Sequence, residues 1–231
     1  MSRFLKKLYL AIAVPCALNL PLFLGMLEQL MEKAGAGMGV IRLLQILAAV
    51  LLVLTYLWLL VWPVRDSART GLRARMMMGG RRSICWGLYG AVLQVWVIWR
   101  LFRPASGIAL MLGKGFQILD VVLAVLGILF LLFFGTLRIF FTSRRLGIVR
   151  RIVMLLTWWI PLVNLAVLLY ACRLVYEEYD FEREKAELRA LRVDSDLCAT
   201  RYPLLMVHGI GFRDLRYFNY WGRIPRELKR N

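Results

Sequence analysis

Residues 43–64 read LLQILAAVLLVLTYLWLLVWPV, and this run decides the class of fold. Gln45 and Thr55 are its only strongly polar members, and Trp58 and Trp62 lie toward one end. A helix rises about 1.5 Å per residue, so ~20 apolar residues cross ~30 Å of hydrocarbon. Leu43 to Val64 meets that length without a charge and predicts a transmembrane helix.

Four further runs extend the pattern. Leu8 to Leu27 carries no charge and is expected to be a retained helix with Pro15, Asn19 and Pro21 inside it. It is long for a signal peptide and lacks a small-x-small cleavage site. Ile84 to Trp99 is a short third candidate. Ile118 to about Phe141 is the fourth, with Asp120 and Arg138 near its ends, where long side chains can snorkel to the interface. Ile152 to Cys172 is the fifth, with Trp158, Trp159, Pro161 and Asn164. The expected fold is therefore mainly α, with about five transmembrane helices in residues 1–172.

The whole chain agrees with a membrane class. Of its 231 residues 61% are hydrophobic, and the mean hydropathy is +0.65. A soluble globular domain is nearer half apolar. The net charge is +17, from 31 Lys and Arg against 14 Asp and Glu. In a soluble protein that excess would suggest nucleic acid. Here the cations cluster in short segments between apolar runs, as topology-setting loops do, and no nucleic-acid partner is expected. The bilayer is the expected partner, and the oligomeric state is open. With the N-terminus inside, the inner segments hold three cations up to residue 7, six in Arg65 to Arg82 and four in Ser143 to Arg151. The opposite loops hold two and three. Five crossings of a cell membrane would then leave the N-terminus cytoplasmic and the C-terminal segment extracytoplasmic.

Composition changes after Cys172. Eight of the 14 acidic residues lie between Glu177 and Asp196. Residues 173–196 read as a charged helical stalk continuing from the fifth span, with a stripe at Leu174, Phe181, Leu188 and Leu191. Solvation of this charged helix is favoured over a partner-binding coiled coil, which needs more heptads. The sequence VDSD, residues 193–196, ends it. Cys16, Cys85, Cys172 and Cys198 form no CxxC pair, and no His, Cys and carboxylate cluster suggests a metal. No cofactor is expected. Asn19 and Asn164 are candidates for hydrogen bonds between helices.

Residues 197–231 differ again. Leu204 to Val207 is an apolar run behind Tyr202-Pro203, suited to a buried parallel strand. His208-Gly209 ends it sharply, and GRIPRELKRN reads as a helix start. Strand, glycine turn and helix open an α/β sheet. RYPLLMVHGIGFRD followed by YFNYWGRIPRELKRN resembles the N-terminal start of bacterial lipases and esterases of the α/β-hydrolase fold, toward triacylglycerol-lipase-like members. The resemblance covers about thirty residues. It implies ester hydrolysis by a Ser-His-Asp/Glu triad acting on a lipid or ester substrate. The Ile210 amide would donate to the oxyanion hole, on a loop formed by His208, Gly209, Gly211 and Phe212. Phe212, Tyr217, Phe218, Tyr220 and Trp221 could line an acyl site, although ordinary packing is the favoured reading. His208 is the only histidine. In that family the base follows the nucleophile, so His208 is read as holding the loop.

The departures are equally specific. No GxSxG occurs, and none of Ser2, Ser67, Ser83, Ser106, Ser143 and Ser195 sits on a strand-to-helix elbow. Catalytic residues are absent from this chain, which is expected to be inactive as the N-terminal part of a longer hydrolase or a truncated relic. The alternative is a non-enzymatic integral membrane protein. Its C-terminal FRDLRYFNYWGRIPRELKRN, mixing aromatics with six basic residues, would then lie on an anionic lipid surface.

Overall fold

The structure, a computed structural model, describes residues 3–64, 70–102 and 114–191. Among these residues there are seven helices and no strand: α1 (Arg3–Leu18), α2 (Leu20–Lys33), α3 (Met38–Val61), α4 (Leu72–Leu101), α5 (Lys114–Thr142), α6 (Gly147–Leu156) and α7 (Pro161–Leu191). The segment read as a strand, Leu204 to Val207, lies outside the described residues, as do VDSD and the rest of residues 192–231.

Helices α3, α4 and α5 are each long and apolar enough to cross a membrane. Their outward faces carry large apolar side chains, such as Leu47 and Leu54 on α3 and Leu126 and Phe130 on α5. That surface would be a liability in water and suits lipid. The pair α1 and α2 counts as a fourth crossing if it is one broken span.

The first expected span is thus not continuous. It bends by 100° between α1 and α2. Pro21 lacks an N–H and obstructs the preceding turn, while the second position of a new helix accepts it readily. The chain therefore restarts after Asn19, whose φ of −105° and ψ of 48° leave the helical region. Pro15, by contrast, is carried inside α1.

The third expected span is longer than the sequence suggested. Helix α4 is 30 residues and takes in Arg73, Arg75, Arg81 and Arg82 of the expected inner segment. Gly79 and Gly80 do not stop it, because α5 packs directly on them.

The fifth expected span is not one helix. It breaks over Thr157 to Ile160, between α6 and α7. Pro161 is the first residue of α7, where a missing N–H costs little and the residue before it is pushed out of the helical region. Five uninterrupted crossings, on which the extracytoplasmic placement of the C-terminal segment rested, are not what the described residues show.

The chain divides into two compact units, one of Met1–Asp66 with Gly71–Asp180, the other of Ser67–Thr70 with Phe181–Asn231. In the second unit the described residues are Thr70 and the last turns of α7, where Arg183 and Glu187 pair at 2.8 Å. All packing below concerns the first unit.

Two apolar clusters hold it. One joins Leu10, Val14 and Leu18 of α1 to Leu59 of α3 and to Ala124, Ile128 and Leu131 of α5. The other joins Met77 and Ile84 of α4, Ile139 of α5 and Met154 of α6 to Leu168, Ala171, Cys172, Val175 and Tyr179 of α7. Between them α4 and α5 meet along small residues. A Cβ on Gly80 would stand 2.7 Å from the Gly135 carbonyl oxygen, and one on Gly135 would stand 2.7 Å from Ile84 Cγ1. Glycine lets the two backbones approach, which is how membrane helices gain dispersion contact without a hydrophobic driving force between them.

Helix α7 runs unbroken from Pro161 to Leu191, and residues 192–196 of the expected stalk lie outside the described residues. Its buried stripe, however, is Leu168, Ala171, Cys172, Val175, Glu178 and Tyr179. Phe181, Leu188 and Leu191, from the stripe expected in the sequence, are exposed. Residues 173–180 belong to the packed bundle.

Candidate functional site

Three basic segments far apart in sequence meet at one end of the bundle. Helix α3 ends there with carbonyls that have no partner within the helix. Arg82 of α4 donates to Trp62 O at 2.7 Å and Trp58 O at 3.4 Å. Arg138 of α5 donates to Leu60 O at 3.0 Å and Trp62 O at 3.5 Å. Two guanidinium groups thus satisfy the C-terminus of α3, where the helix dipole favours positive charge. Arg138, expected to snorkel, is turned onto a neighbouring helix instead. The Trp58 ring is covered by Arg82 at 4.2 Å and by Lys6 at 4.7 Å, distances suited to cation–π attraction.

Asp120 mirrors this arrangement on α5. It is 1% exposed and accepts the Leu22 N–H at 3.1 Å. Leu22 is the third residue of α2, so a carboxylate from another helix satisfies one of its free N-terminal amides. Asp120 too is a tertiary cap rather than an interfacial charge.

The third cluster is built around Glu178. Its side chain is 5% exposed. Arg73 Nη1 donates to it at 2.7 Å, Ser143 Oγ at 2.7 Å, and the Arg144 and Arg145 amides at 3.1 Å. Burial pushes its pKa up, but the four donors outweigh that and hold the carboxyl below its ordinary range. Arg73 also donates to Thr142 O at 2.8 Å, at the C-terminus of α5. One carboxylate therefore ties α7 to the start of α4 and to the turn between α5 and α6. Both ends of the α6–α7 excursion are fastened at the same place. Trp158, at the far turn, stacks edge-on against Phe133 in the middle of α5, with ring centroids 6.0 Å apart. Helices α6 and α7 are thus a hairpin that enters the bundle from its basic end and returns to it.

Beside the Arg82–Trp58 contact lies a cavity of about 710 Å³. Helix α1 contributes Phe4, Lys6, Lys7 and Leu8 to its wall, and α4 contributes Met78, Arg81, Arg82 and Trp86. Its described lining holds four cations and no carboxylate. The Nε atoms of Arg81 and Arg82 are buried without a hydrogen-bond partner. The Arg81 guanidinium rests 4.9 Å over the Tyr176 ring.

Ile210, His208, Gly209, Gly211 and Phe212, the residues expected to form the oxyanion loop, lie outside the described residues. Of the serines, Ser83 is buried in α4 and donates to Leu59 O at 2.9 Å, and Ser143 is held by Glu178. His208, the only histidine in the chain, lies outside the described residues. Asn19 bonds Pro15 O within its own segment at 3.1 Å, so it joins no helix pair through that contact. Among the described residues no group of three His, Cys, Asp or Glu side chains could hold a metal ion. Cys85 of α4 and Cys172 of α7, unrelated by spacing, come within hydrogen-bonding reach.

Sequence reasoning missed Glu178. It sits in an acidic stretch that reads as solvated, one residue from the exposed Glu177. The signal was the helical period upstream: Leu168, Ala171, Cys172 and Val175 define a face on which Glu178 falls. No protein-family model, curated protein or solved structure matches the chain.

Proposed function

We propose that this chain is the membrane-embedded part, and the opening strand, turn and helix, of a lipase-like serine hydrolase. The observation that carries the reading is RYPLLMVHGIGFRD with YFNYWGRIPRELKRN behind a bundle of lipid-facing helices. In this reading the Ile210 amide donates to the oxyanion that develops on a tetrahedral intermediate, worth roughly 3 kcal/mol per donor. Gly209 lets the backbone turn close to the substrate, and His208 holds the loop. The nucleophile, acid and base are supplied by residues beyond Asn231. A lipid or ester substrate dissolved in the bilayer reaches such an enzyme by lateral diffusion, which gives the anchor a chemical purpose.

The bundle also bears on sidedness. With α1 and α2 as one broken crossing, followed by α3, α4 and α5, four crossings return the chain to its starting face. The latch at Glu178 agrees with that count, because it bonds residues 143–145 at the end where Lys6 lies. The excess of Lys and Arg at that end makes it the cytoplasmic one. The hydrolase segment is then cytoplasmic.

The test is fluorophosphonate labelling. The product of the complete reading frame is expected to label at a serine in a GxSxG beyond Asn231, and the 231-residue chain is expected to stay unlabelled. A complete product that never labels sinks the hydrolase reading and leaves the non-enzymatic membrane protein. Labelling of the 231-residue chain itself would overturn the assignment of the nucleophile. Cys198 should react with a membrane-impermeant thiol reagent from the cytoplasmic face, and reaction only from the opposite face would reverse the sidedness.

A further inference from the structure

We propose that the cavity between the start of α1 and α4 binds an anionic phospholipid, its phosphate held by Lys7, Arg81 and Arg82 and an acyl chain lying against Phe4, Leu8 and Met78. This site does not depend on the hydrolase reading. Charge complementarity carries it. In the described lining Lys7, Arg81 and Arg82 stand with no carboxylate among them, so an anion is the ligand whose charge complements them. The walls between those cations are apolar, so the anion must carry hydrocarbon. A free phosphate would leave most of the wall wet.

A second observation agrees. Arg81 and Arg82 are anchored by other contacts, Arg82 on the α3 carbonyls and Arg81 on the Tyr176 ring, so both guanidinium groups are held in place at the cavity wall. A phosphate oxygen is the acceptor that planar guanidinium groups suit best. The cavity also lies at the basic end of the bundle, level with the first turns of α1, where the headgroups of a leaflet would be. Basic recesses between membrane helices on that side are the expected site for acidic headgroups. The volume of about 710 Å³ admits a headgroup with part of one chain, not a whole lipid. The remaining chain would lie along the exposed side chains of Phe4 and Leu8.

The experiment uses the full 231-residue chain in nanodiscs of phosphatidylcholine containing a minority of phosphatidylglycerol, followed by native mass spectrometry of the ejected protein. A retained phosphatidylglycerol adduct is expected, with phosphatidylcholine retained much less. The variant Lys7→Gln/Arg81→Gln leaves the α3 cap of Arg82 in place. It should weaken retention about 30-fold, at roughly 1 kcal/mol per cation. Ala11 of α1 also lines the cavity, so Ala11→Phe fills it without removing a charge and should also abolish the adduct. Arg173→Gln, which removes an exposed cation elsewhere, should retain it as the unaltered protein does. Equal retention of the two lipids, or an adduct that survives both cavity variants in folded protein, would overturn the proposal. Displacement of the adduct by millimolar inorganic phosphate would assign the site to the free anion and overturn the lipid assignment. Should Lys7→Gln/Arg81→Gln fail to fold, the Ala11→Phe result decides alone.

Discussion

Along their glycine seam helices α4 and α5 are held without a charge, whereas the hairpin of α6 and α7 is fastened by one. Along the α4–α5 seam the glycines bring backbones together, and every ångström of approach adds dispersion contact. At the base of the hairpin one buried carboxylate receives four donors from two separate segments. The first device is distributed, so each residue carries a small share. The second is concentrated, so most of its effect sits on Glu178. The two regions should respond differently to single substitutions.

The largest effect is expected at Glu178. Glu178→Ala removes the carboxylate that pairs with the partly buried Arg73 and the acceptor for two backbone amides. Breaking a buried ion pair from one side typically costs about 3–5 kcal/mol. A loss of that size is expected in unfolding by SDS titration from mixed micelles. A loss below about 1 kcal/mol would mean that the hairpin is held by its apolar face alone. Glu178→Gln should lie between, because the amide oxygen still accepts.

That residue also shows what the sequence could and could not convey. The three uninterrupted spans were legible, because twenty apolar residues in a row have few other uses. The two interrupted ones were not. Pro15 and Pro21 look alike in sequence, yet one is carried inside α1 and the other opens α2. The difference lies in which carbonyl a neighbouring helix can satisfy, and that is a tertiary fact. Arg138 and Asp120 read as interfacial charges for the same reason. Their partners, Leu60 O and Leu22 N, are backbone atoms, and backbone atoms leave no mark on composition. The oxyanion-loop residues were named from a resemblance and fall where no structural element is described. The cavity, with two cations each from α1 and α4, depends on a contact that no local pattern announces.

Acid should weaken the hairpin next. The folded carboxyl of Glu178 is held below its ordinary value of 4.5. A group with a depressed folded pKa binds its proton more readily when unfolded. Its stabilisation is therefore fully present above the unfolded value and is lost as pH falls through the folded one. Melting temperature should stay level from about pH 8 to about pH 5 and decline below pH 4.5. The same scan on Glu178→Gln should lack the part of the decline that this residue causes. An identical decline in both proteins would place the acid sensitivity elsewhere.

The glycine seam should give smaller, graded losses. Gly80→Ala sets a methyl 2.7 Å from a backbone oxygen, which cannot rotate away, so the helices must separate. Overpacking of that kind costs about 1–3 kcal/mol. Gly87→Ala meets Leu131 Cβ and Leu132 Cδ2 at 3.2 Å, and the latter can shift, so a loss under about 1 kcal/mol is expected. Gly39→Ala, in the first turn of α3 with nothing within 4 Å, should gain up to about 1 kcal/mol from lower backbone entropy in the unfolded chain. Equal losses at Gly80 and Gly39 would show that helix propensity, rather than closeness, governs the seam.

The smallest effect is expected one residue from the largest. Glu177 pairs with Arg173 at 3.1 Å, and the two side chains are 42% and 79% exposed. Water already solvates both charges, and holding two long side chains in one geometry costs entropy. Such a pair on a helix surface contributes about 0.3–0.5 kcal/mol, less in salt. Arg173→Gln should therefore change the unfolding free energy by no more than about 0.5 kcal/mol. Glu177 and Glu178 share residue type, helix and near neighbours in sequence, so the contrast between them isolates burial and donor count. If Arg173→Gln costs as much as Glu178→Ala, the concentration of the latch on one carboxylate is wrong, and the charged part of α7 acts as a network.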